Sequence, residues 1–357
     1  MWFASDNTGA AAPEMIEAIA EANSGYAPSY GADAGMERVT ARIREVFEAP
    51  QAAVYLVATG TAANALALAC LCPPWATVYC HRNAHVEEDE CGAPEFYTGG
   101  AKLTLLDGDH ARIDPASLER AIGLTANAGV HNVQKGALSL TNATEAGAVY
   151  DPAQVAELAR IARGHGIPVH MDGSRFANAV AHLGCSAADL TWKVGVDVLT
   201  FGGTKNGCLG VEAVVLFDAA RAWEFELRRK RGGHLFSKHR FLSAQMEAYL
   251  EGDLWLDLAE AANARARELA DGIAALPGAV LVHPTEANAV FAAWPRAGHR
   301  AAMAAGAHYY LWPANQSLEG PDDEPLSARL VCNWATTPAE VAQLLAVLKG
   351  ARAHAGV

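Results

Sequence analysis

The chain contains the stretch VDVLTFGGTKNG at residues 196–207, in which an apolar strand pattern ends in two glycines and a single lysine, Lys205. A second apolar run, IPVHMDGSR at residues 167–175, ends in a similar way at Asp172. Runs this apolar are typical of strands that are buried on both faces, and such strands are mainly parallel. Because parallel strands end at the same edge of a sheet, we expect Lys205 and Asp172 to lie close together there.

Strand and helix patterns alternate on both sides of this stretch. The further strands and helices of the first part are predicted at 14–22, 37–47, 53–57, 61–71, 77–80, 102–106, 137–141, 152–164 and 211–217. After about residue 250 a long helix pattern at 254–276 is followed by short strands and helices. We therefore predict an α/β fold, with a mostly parallel sheet covered by helices on both faces in residues 1–250. A smaller α+β domain is predicted in residues 251–357.

Composition limits the classes of function. The formal net charge of the 357-residue chain is −13, which disfavours nucleic acid or an anionic membrane as the main partner. No uninterrupted apolar run reaches the length of a membrane span, and the N-terminus lacks the pattern of a signal peptide. None of the seven cysteines forms a CxxC pair. We therefore expect reduced thiols, a cytoplasmic protein and no metal site.

Lys205 and Asp172 suggest a particular chemistry. A lysine that forms an imine and a carboxylate that holds a pyridinium nitrogen are what pyridoxal 5′-phosphate (PLP) requires. Partial burial would lower the pKa of Lys205 and supply the neutral amine. Arg175 would form a bidentate pair with a substrate carboxylate. The alternative interpretations are a solvated lysine, a helix-capping aspartate and a surface arginine.

The segment TGTAAN at residues 59–64 follows a predicted strand and opens a predicted helix. Free backbone N–H groups, hydroxyls and the helix dipole would form an anion site there, and the alternative is a plain turn with a threonine cap. The segment is neither a Walker loop nor a GxGxxG motif, so nucleotide binding is not favoured.

His85 lies in NAHVEEDE at residues 83–90. A lone loop histidine is more often a surface residue, but an imidazole here would stack on a pyridine ring and carry protons near neutral pH. We predict that the acidic run at residues 87–90 forms a solvated face, because helical spacing with a single histidine suits a surface better than a metal site.

Several segments together resemble the low-specificity L-threonine aldolases, which are PLP enzymes of the aspartate aminotransferase fold (fold type I). They occur in order along nearly the whole chain. The segments are SDNTG (5–9), YG (30–31), TGTAAN (59–64), AHVEEDECGAPEF (84–96), HMDGSR (170–175), FGGTKNG (201–207) and RLVCNW (329–334).

The resemblance implies a role for individual residues. Lys205 carries the cofactor and is catalytic, as is His85, which stacks on the cofactor ring, while Asp172 pairs with the ring nitrogen. The other implied cofactor contacts are Gly60, Thr61, Arg175, Thr204 and Lys238, and the implied substrate contacts are Ser5, Tyr30, Arg175 and Arg329. Because this family assembles as dimers of dimers with shared active sites, Tyr30 and Lys238 are expected to reach a neighbouring subunit.

The implied activity is retro-aldol cleavage of L-threonine, L-allo-threonine and related L-β-hydroxy-α-amino acids to glycine and an aldehyde. The alternative is another PLP reaction of the same fold on a small amino acid, either β-elimination or transamination. A PLP-sensing regulator, which would need a DNA-binding module, and a PLP-free scaffold are the more distant alternatives.

The chain departs from the family pattern at residues 141–145, TNATE. Many family members carry a second histidine in the aligned segment, whereas this chain has Thr144. The group that removes the hydroxyl proton therefore stays open, with His85 or a water that it orients as the expectation.

Overall fold

A computed structural model describes residues 1–353, and residues 354–357 of the predicted second domain lie outside the described residues. The strands of the larger sheet are β1 (Ala53–Val57), β2 (Ala76–His81), β3 (Lys102–Leu106), β4 (Gln134–Thr141), β5 (Val169–Gly173), β6 (Val198–Gly202) and β7 (Glu212–Leu216). They lie in the order β1-β7-β6-β5-β4-β2-β3. Strand β7 is antiparallel to both of its neighbours, and the other pairs in this sheet are parallel.

Helices precede, connect and follow these strands. The α-helices of the described residues are α1 (Pro13–Ala22), α2 (Ala34–Val46), α3 (Gly60–Leu71), α4 (His85–Glu88), α5 (Ala93–Thr98), α6 (Pro115–Leu124), α7 (Pro152–Gly164), α8 (Phe176–Leu183), α9 (Ala222–Arg231), α10 (Arg240–Leu250), α11 (Leu254–Ala274), α12 (Arg296–Ala304) and α13 (Pro338–Ala353).

Both faces of the larger sheet are covered. Helix α3 packs on one face in an apolar cluster that includes Val78, Val198 and Val214. Helices α2, α6, α7 and α8 contribute to a separate cluster, which includes Met171 and Leu199. Because Val198 and Leu199 are neighbours in β6 and point to opposite faces, this strand is buried on both sides. The predicted α/β class, with a mostly parallel sheet between helices, is confirmed.

A second sheet lies in the C-terminal part and consists of β8 (Val280–Leu281), β9 (Ala289–Pro295), β10 (Tyr310–Leu311) and β11 (Pro325–Val331). Its order is β10-β11-β9-β8, and all of its pairs are antiparallel. Helices α11, α12 and α13 pack on it in an apolar cluster that also takes in Phe3. The first residues of the chain therefore belong to this packing unit. A domain boundary at residue 250 stays a prediction.

Most predicted elements are present with ends shifted by a few residues. The predicted ranges contain no counterpart of helices α4, α5, α6, α8, α9 and α10. The first two are too short to show a helical period, and α6 depends on its capping Asp114, whose side chain accepts two N–H groups of the first turn. A search of the described residues finds no helix long and apolar enough to cross a membrane.

Candidate active site

Three neighbouring parallel strands, β4, β5 and β6, end at the same edge of the larger sheet. Asp172 is near the end of β5 and pairs in register with Thr200 of β6. Gly202 allows the two strand ends to approach, because a Cβ there would lie 2.5 Å from a carbonyl oxygen of the loop after β5. Lys205 lies in the short 3-10 turn Thr204–Asn206 that follows β6. The structure thus brings Lys205 and Asp172 together, and we call this region the carboxyl edge.

Asp172 is buried and accepts three hydrogen bonds. Its Oδ1 accepts from the N–H group of Ser174 at 2.9 Å and from the Ser174 hydroxyl at 2.7 Å, and its Oδ2 accepts from Asn64 Nδ2 at 2.8 Å. Burial alone would raise the pKa of Asp172, but Lys205, His85 and the Ser174 bonds outweigh burial and lower it. The carboxylate therefore stays ionised at neutral pH.

Lys205 is half-buried, and a second carboxyl group, that of Glu212, is hydrogen-bonded to the backbone of its turn. Burial lowers the pKa of Lys205 and the nearby Arg175 lowers it further, whereas neighbouring carboxylates oppose the change. Glu212 on β7 accepts the Gly203 N–H group at 3.0 Å, and burial raises the pKa of Glu212 to about 7. The Thr204 hydroxyl closes the turn by accepting an N–H group at 3.2 Å. Sequence reasoning missed Glu212, although a glutamate in an otherwise apolar strand was a signal.

His85 begins α4 and is held by two carboxyl groups. Glu145 Oε1 accepts the main-chain N–H group of His85 at 2.8 Å, and Glu90 Oε1 lies 2.9 Å from the ring Nδ1. The same Glu90 oxygen accepts from Asn64 Nδ2 at 2.9 Å, so this amide joins Glu90 to Asp172. The hydrogen bond with Glu90 is the largest cause of the raised pKa of His85, and burial opposes it.

The prediction of a solvated acidic face is wrong for Glu90. Glu87 and Glu88 are exposed, but the Glu90 side chain is 0% exposed. The physical reason is that α4 ends at Glu88 and Cys91 takes a left-handed φ of 52°, so the chain turns and directs Glu90 inward. Ligand-type atoms of His85, Glu90 and Asp172 all lie within 4.8 Å of one another. Gly92, which indicates a break in the helix, was the available signal.

The N-terminus of α3 presents free N–H groups near Asp172. The Thr59 hydroxyl caps the helix by accepting an N–H group of the first turn at 3.2 Å. The N–H groups of Gly60 and Thr61 have no intrahelical acceptor because they belong to the first turn. A Cβ at Gly60 would lie 3.6 Å from the hydroxyl oxygen of Ser174. This geometry suits an anion.

Two arginines meet at the N-terminal segment of the chain. Arg175 forms a bidentate pair with the buried Asp6, with Nε–Oδ2 at 2.7 Å and Nη2–Oδ1 at 3.0 Å. Arg329 on β11 donates to the carbonyl oxygen of Ala4 at 3.4 Å, and its buried Nε has no acceptor among the described residues. Ser5 lies between these contacts. Burial and the nearby Arg175 lower the pKa of Arg329. The free capacity to bind a carboxylate is therefore greater on Arg329 than on Arg175.

Tyr30 and Lys238 are exposed and lie next to each other. The Tyr30 N–H group donates to the carbonyl oxygen of Ser237 at 3.1 Å, and Lys230 Nζ lies 4.7 Å from the centre of the Tyr30 ring. Within residues 1–353 no hydrogen bond or ion pair connects Tyr30 or Lys238 to Lys205. A single chain does not bring these two residues into the carboxyl edge by such contacts.

The segment that departs from the family pattern contains another buried carboxyl group. The Thr144 hydroxyl donates to the carbonyl oxygen of His110 at 2.9 Å and accepts an N–H group at 3.2 Å, so it is fully used. Glu145 binds His85 through Oε1, while its Oε2 is buried and accepts no hydrogen bond in the described part of the chain. Burial raises the pKa of Glu145 to about 7. Sequence reasoning missed this residue because no pattern distinguishes it from a loop glutamate.

The sheet order, with a lysine after β6 and an acidic residue on β5, is that of the fold class known as fold type I. The structure is similar to that of a threonine aldolase from Leishmania major, with a TM-score of 0.90, 24% identity and 98% of each chain covered. It is also similar to a serine palmitoyltransferase from S. paucimobilis with a bound PLP–myriocin aldimine. That match has a TM-score of 0.70 and 18% identity, and covers 99% of this chain and 87% of the other. The predicted fold type is confirmed.

Residues 3–295 match the family described as beta-eliminating lyase, and the chain belongs to this family. It is 42% identical over 342 residues to the low specificity L-threonine aldolase of Pseudomonas aeruginosa. The match covers 96% of this chain and 95% of that protein. The resemblance inferred from the ordered segments is confirmed.

Proposed function

We propose that the carboxyl edge binds PLP. Lys205 offers the amine for covalent attachment, Asp172 offers an ionised carboxylate for the ring nitrogen, and the first turn of α3 at Gly60 and Thr61 offers an anion site for the phosphate. The free first-turn N–H groups of Gly60 and Thr61, with the Ser174 hydroxyl close to Gly60, support this fit. When bound, PLP draws electrons from the bonds at the substrate Cα.

The function is cleavage of L-threonine, L-allo-threonine and related L-β-hydroxy-α-amino acids to glycine and an aldehyde. The protein is therefore a PLP-dependent aldehyde-lyase. The observation that carries this proposal is a lysine with a lowered pKa beside an ionised aspartate at one sheet edge. Sequence identity over nearly the full length to a low specificity L-threonine aldolase supports the reaction type.

The arginines bind and orient the substrate. Arg329, whose Nε has no acceptor among residues 1–353, takes the carboxylate together with Arg175 and the Ser5 hydroxyl. Fixing the carboxylate would orient the substrate so that its Cα–Cβ bond is the bond that weakens when PLP, once bound, draws electrons from Cα. The lowered pKa of Lys205 supplies the neutral amine that exchanges with the substrate amine.

A proton leaves the substrate hydroxyl as the carbon–carbon bond breaks. His85, or a water that it orients, takes this proton. The ring Nδ1 faces Glu90, so Nε2 is the nitrogen that remains for the hydroxyl. The aldehyde departs, and a proton delivered to Cα then gives glycine.

We further propose a homo-oligomer, a dimer of dimers, in which Tyr30 and Lys238 complete the site of a neighbouring subunit. The exposure of both residues supports this, as does the exposed apolar surface around them, where Tyr26 is 107% and Phe236 46% exposed. A cytoplasmic location is proposed from the cysteines, all of which are free.

The rival is β-elimination, which the family description favours. Incubation of the purified protein and PLP with L-threonine separates the two reactions. Retro-aldol cleavage yields equal amounts of glycine and acetaldehyde, whereas elimination yields 2-oxobutanoate and transamination leaves a keto acid with the hydroxyl intact. Formation of 2-oxobutanoate without glycine would overturn the proposed function.

A further inference from the structure

Glu90 connects His85 with Asp172 through hydrogen bonds at the carboxyl edge. Its Oε1 lies 2.9 Å from His85 Nδ1 and 2.9 Å from Asn64 Nδ2, and Asn64 Nδ2 lies 2.8 Å from Asp172 Oδ2. The Glu90 side chain is fully buried although it is acidic. A buried carboxyl group costs free energy unless its hydrogen bonds compensate for the lost water, so this position needs a specific reason.

The direction of each hydrogen bond follows from the chemistry of the groups. Ionised carboxylates only accept hydrogen bonds, so the Asn64 amide uses both of its Nδ2 hydrogens as donors, one to Asp172 and one to Glu90. Burial raises the pKa of Glu90, whereas its hydrogen bonds with His85 and Asn64 oppose this change. When Glu90 is ionised, the bond between Glu90 and His85 needs a proton on Nδ1. The neutral imidazole then keeps its lone pair on Nε2, and no hydrogen bond to Nε2 is formed among residues 1–353.

We propose that Glu90 is a positioning residue for the hydroxyl-deprotonation step, holding the His85 ring in the Nδ1–H tautomer so that Nε2 takes the proton. This inference rests on the proposed function and extends it to a residue that does not touch the substrate. In the step, the O–H bond of the β-hydroxyl breaks and its proton moves to Nε2. The O–H electron pair becomes the second bond of the aldehyde carbonyl group, and the Cα–Cβ pair remains on Cα.

The other charged groups around His85 modify this arrangement. Asp172 favours the protonated ring, Lys205 opposes it, and burial also opposes it, but the Glu90 bond has the largest effect on the pKa of His85. Glu145 accepts the main-chain N–H group of His85 and so holds its backbone, and among residues 1–353 it forms no hydrogen bond with the ring. Glu90 is therefore the carboxyl group that sets the tautomer, as the acidic member of a catalytic triad does.

The first test compares Glu90→Gln with the matched control Glu88→Gln in the enzyme loaded with PLP. Glutamine keeps the size and an accepting oxygen but removes the charge. We expect kcat for L-threonine to fall about 10–100-fold with little change in KM. The acidic limb of the kcat/KM profile should move to lower pH, because the charge that raises the pKa of His85 is gone. Glu88 is exposed, and its variant should match the wild type.

A purely structural role predicts a different outcome. In that case Glu90→Gln would lose bound cofactor, or its KM would rise by the same factor by which kcat falls. The acidic limb of its kcat/KM profile would stay at the pH of the wild type. An unchanged pH profile in a variant that retains full cofactor absorbance overturns the proposal.

The second test needs no variant of Glu90. Nitrogen-15 labelling of the histidines in the full-length, PLP-loaded protein reports the tautomer of each neutral ring, and His85→Asn identifies the His85 signals by their disappearance. We expect neutral His85 to carry its proton on Nδ1. A proton on Nε2 contradicts the proposal. If the protein does not cleave L-threonine, the proposed function fails, but this measurement still decides the tautomer.

Discussion

Two helices carry a histidine whose ring is held by neighbouring groups, α12 at the second sheet and α4 at the carboxyl edge, and the two rings differ in their hydrogen bonding. His299 lies on α12, which packs on the second sheet, and both of its ring nitrogens are hydrogen-bonded. Nε2 donates to the Leu326 carbonyl oxygen at 3.0 Å, and Nδ1 lies 3.0 Å from the Tyr309 hydroxyl. Its ring stacks on Trp294 at 4.1 Å, and burial lowers the pKa of His299 to about 4. Its polar atoms are satisfied and the ring stays neutral.

At the carboxyl edge of the larger sheet, His85 is only partly satisfied. One ring nitrogen faces Glu90, the side chain is 34% exposed, and the pKa is raised. Nearby, Glu145 and Glu212 both have pKa values raised to about 7 by burial. Burial of polar groups is therefore no mark of function by itself. Incomplete hydrogen bonding together with shifted pKa values marks the reactive region.

The largest effect is expected for the covalent group. Lys205→Ala should reduce cleavage of L-threonine by roughly 10³-fold or more, because the amine that attaches the cofactor is lost. The measurement is acetaldehyde release under saturating PLP. Lys193→Ala is the control, since this lysine pairs with Glu48 and Asp189 on the surface. Full activity in Lys205→Ala would remove the basis for treating the carboxyl edge as the reactive region.

The next effect concerns the charge at the end of β5. Asp172→Asn keeps the shape but removes the carboxylate that would keep the cofactor nitrogen protonated. We expect kcat to fall about 10²-fold or more, because the removed charge acts on the reaction. The protein should still fold. Steady-state kinetics and the melting temperature check this together. An unchanged kcat would show that Asp172 is only a buried structural acid.

Arg329 lies on β11 of the second sheet, but its substitution should change the kinetics as substitutions at the carboxyl edge do. Arg329→Lys keeps the charge but loses the planar fork, so KM for L-threonine should rise about 10-fold or more, with a smaller change in kcat. Arg300→Lys is the control, because Arg300 pairs with Asp322 on the surface of the same part of the chain. Equal KM values for the two variants would exclude Arg329 from the substrate site.

Glu145 links the site to stability. Its pKa is raised from 4.5 to about 7, so folding favours its protonated form. Its contribution to stability is therefore full below pH 4.5 and is lost as the pH rises to about 7. When the pH rises from about 5 to about 8, the unfolding free energy of the wild type should decrease. The decrease in Glu145→Gln should be smaller by roughly 2–3 kcal/mol. Denaturant unfolding at both pH values measures this, with the exposed Glu157→Gln as control. Parallel curves for wild type and Glu145→Gln would contradict the shifted pKa.

The smallest effect on turnover is expected for a substitution of His299, on the helix α12 that packs on the second sheet. His299→Phe leaves the Tyr309 hydroxyl and a carbonyl oxygen without their partner, which should cost about 1–3 kcal/mol of stability. The kcat per folded molecule should stay unchanged, because His299 lies in the packing of the second sheet. A fall in kcat beyond the loss of folded protein would break the contrast between the two histidines.

Local patterns predicted much of the fold. Helix α7 begins at Pro152 as expected, because Asp151 and Gln154 form a capping box that depends only on neighbouring residues. The carboxyl edge was also predictable, since Lys205 and Asp172 both end apolar strands. The remaining site residues depend on contacts between segments far apart in sequence. Asn64 reaches Asp172 and Glu90 across 108 and 26 residues, and no periodicity encodes such contacts.

The most direct test of the account is to identify the lysine that carries the cofactor. Reduction of the PLP-loaded protein with borohydride fixes any imine as a stable amine, and peptide mass spectrometry then locates the pyridoxyl group. The account predicts the label on Lys205 and its absence from the Lys205→Ala variant. A label on another lysine, or none in a protein that cleaves L-threonine, would contradict it.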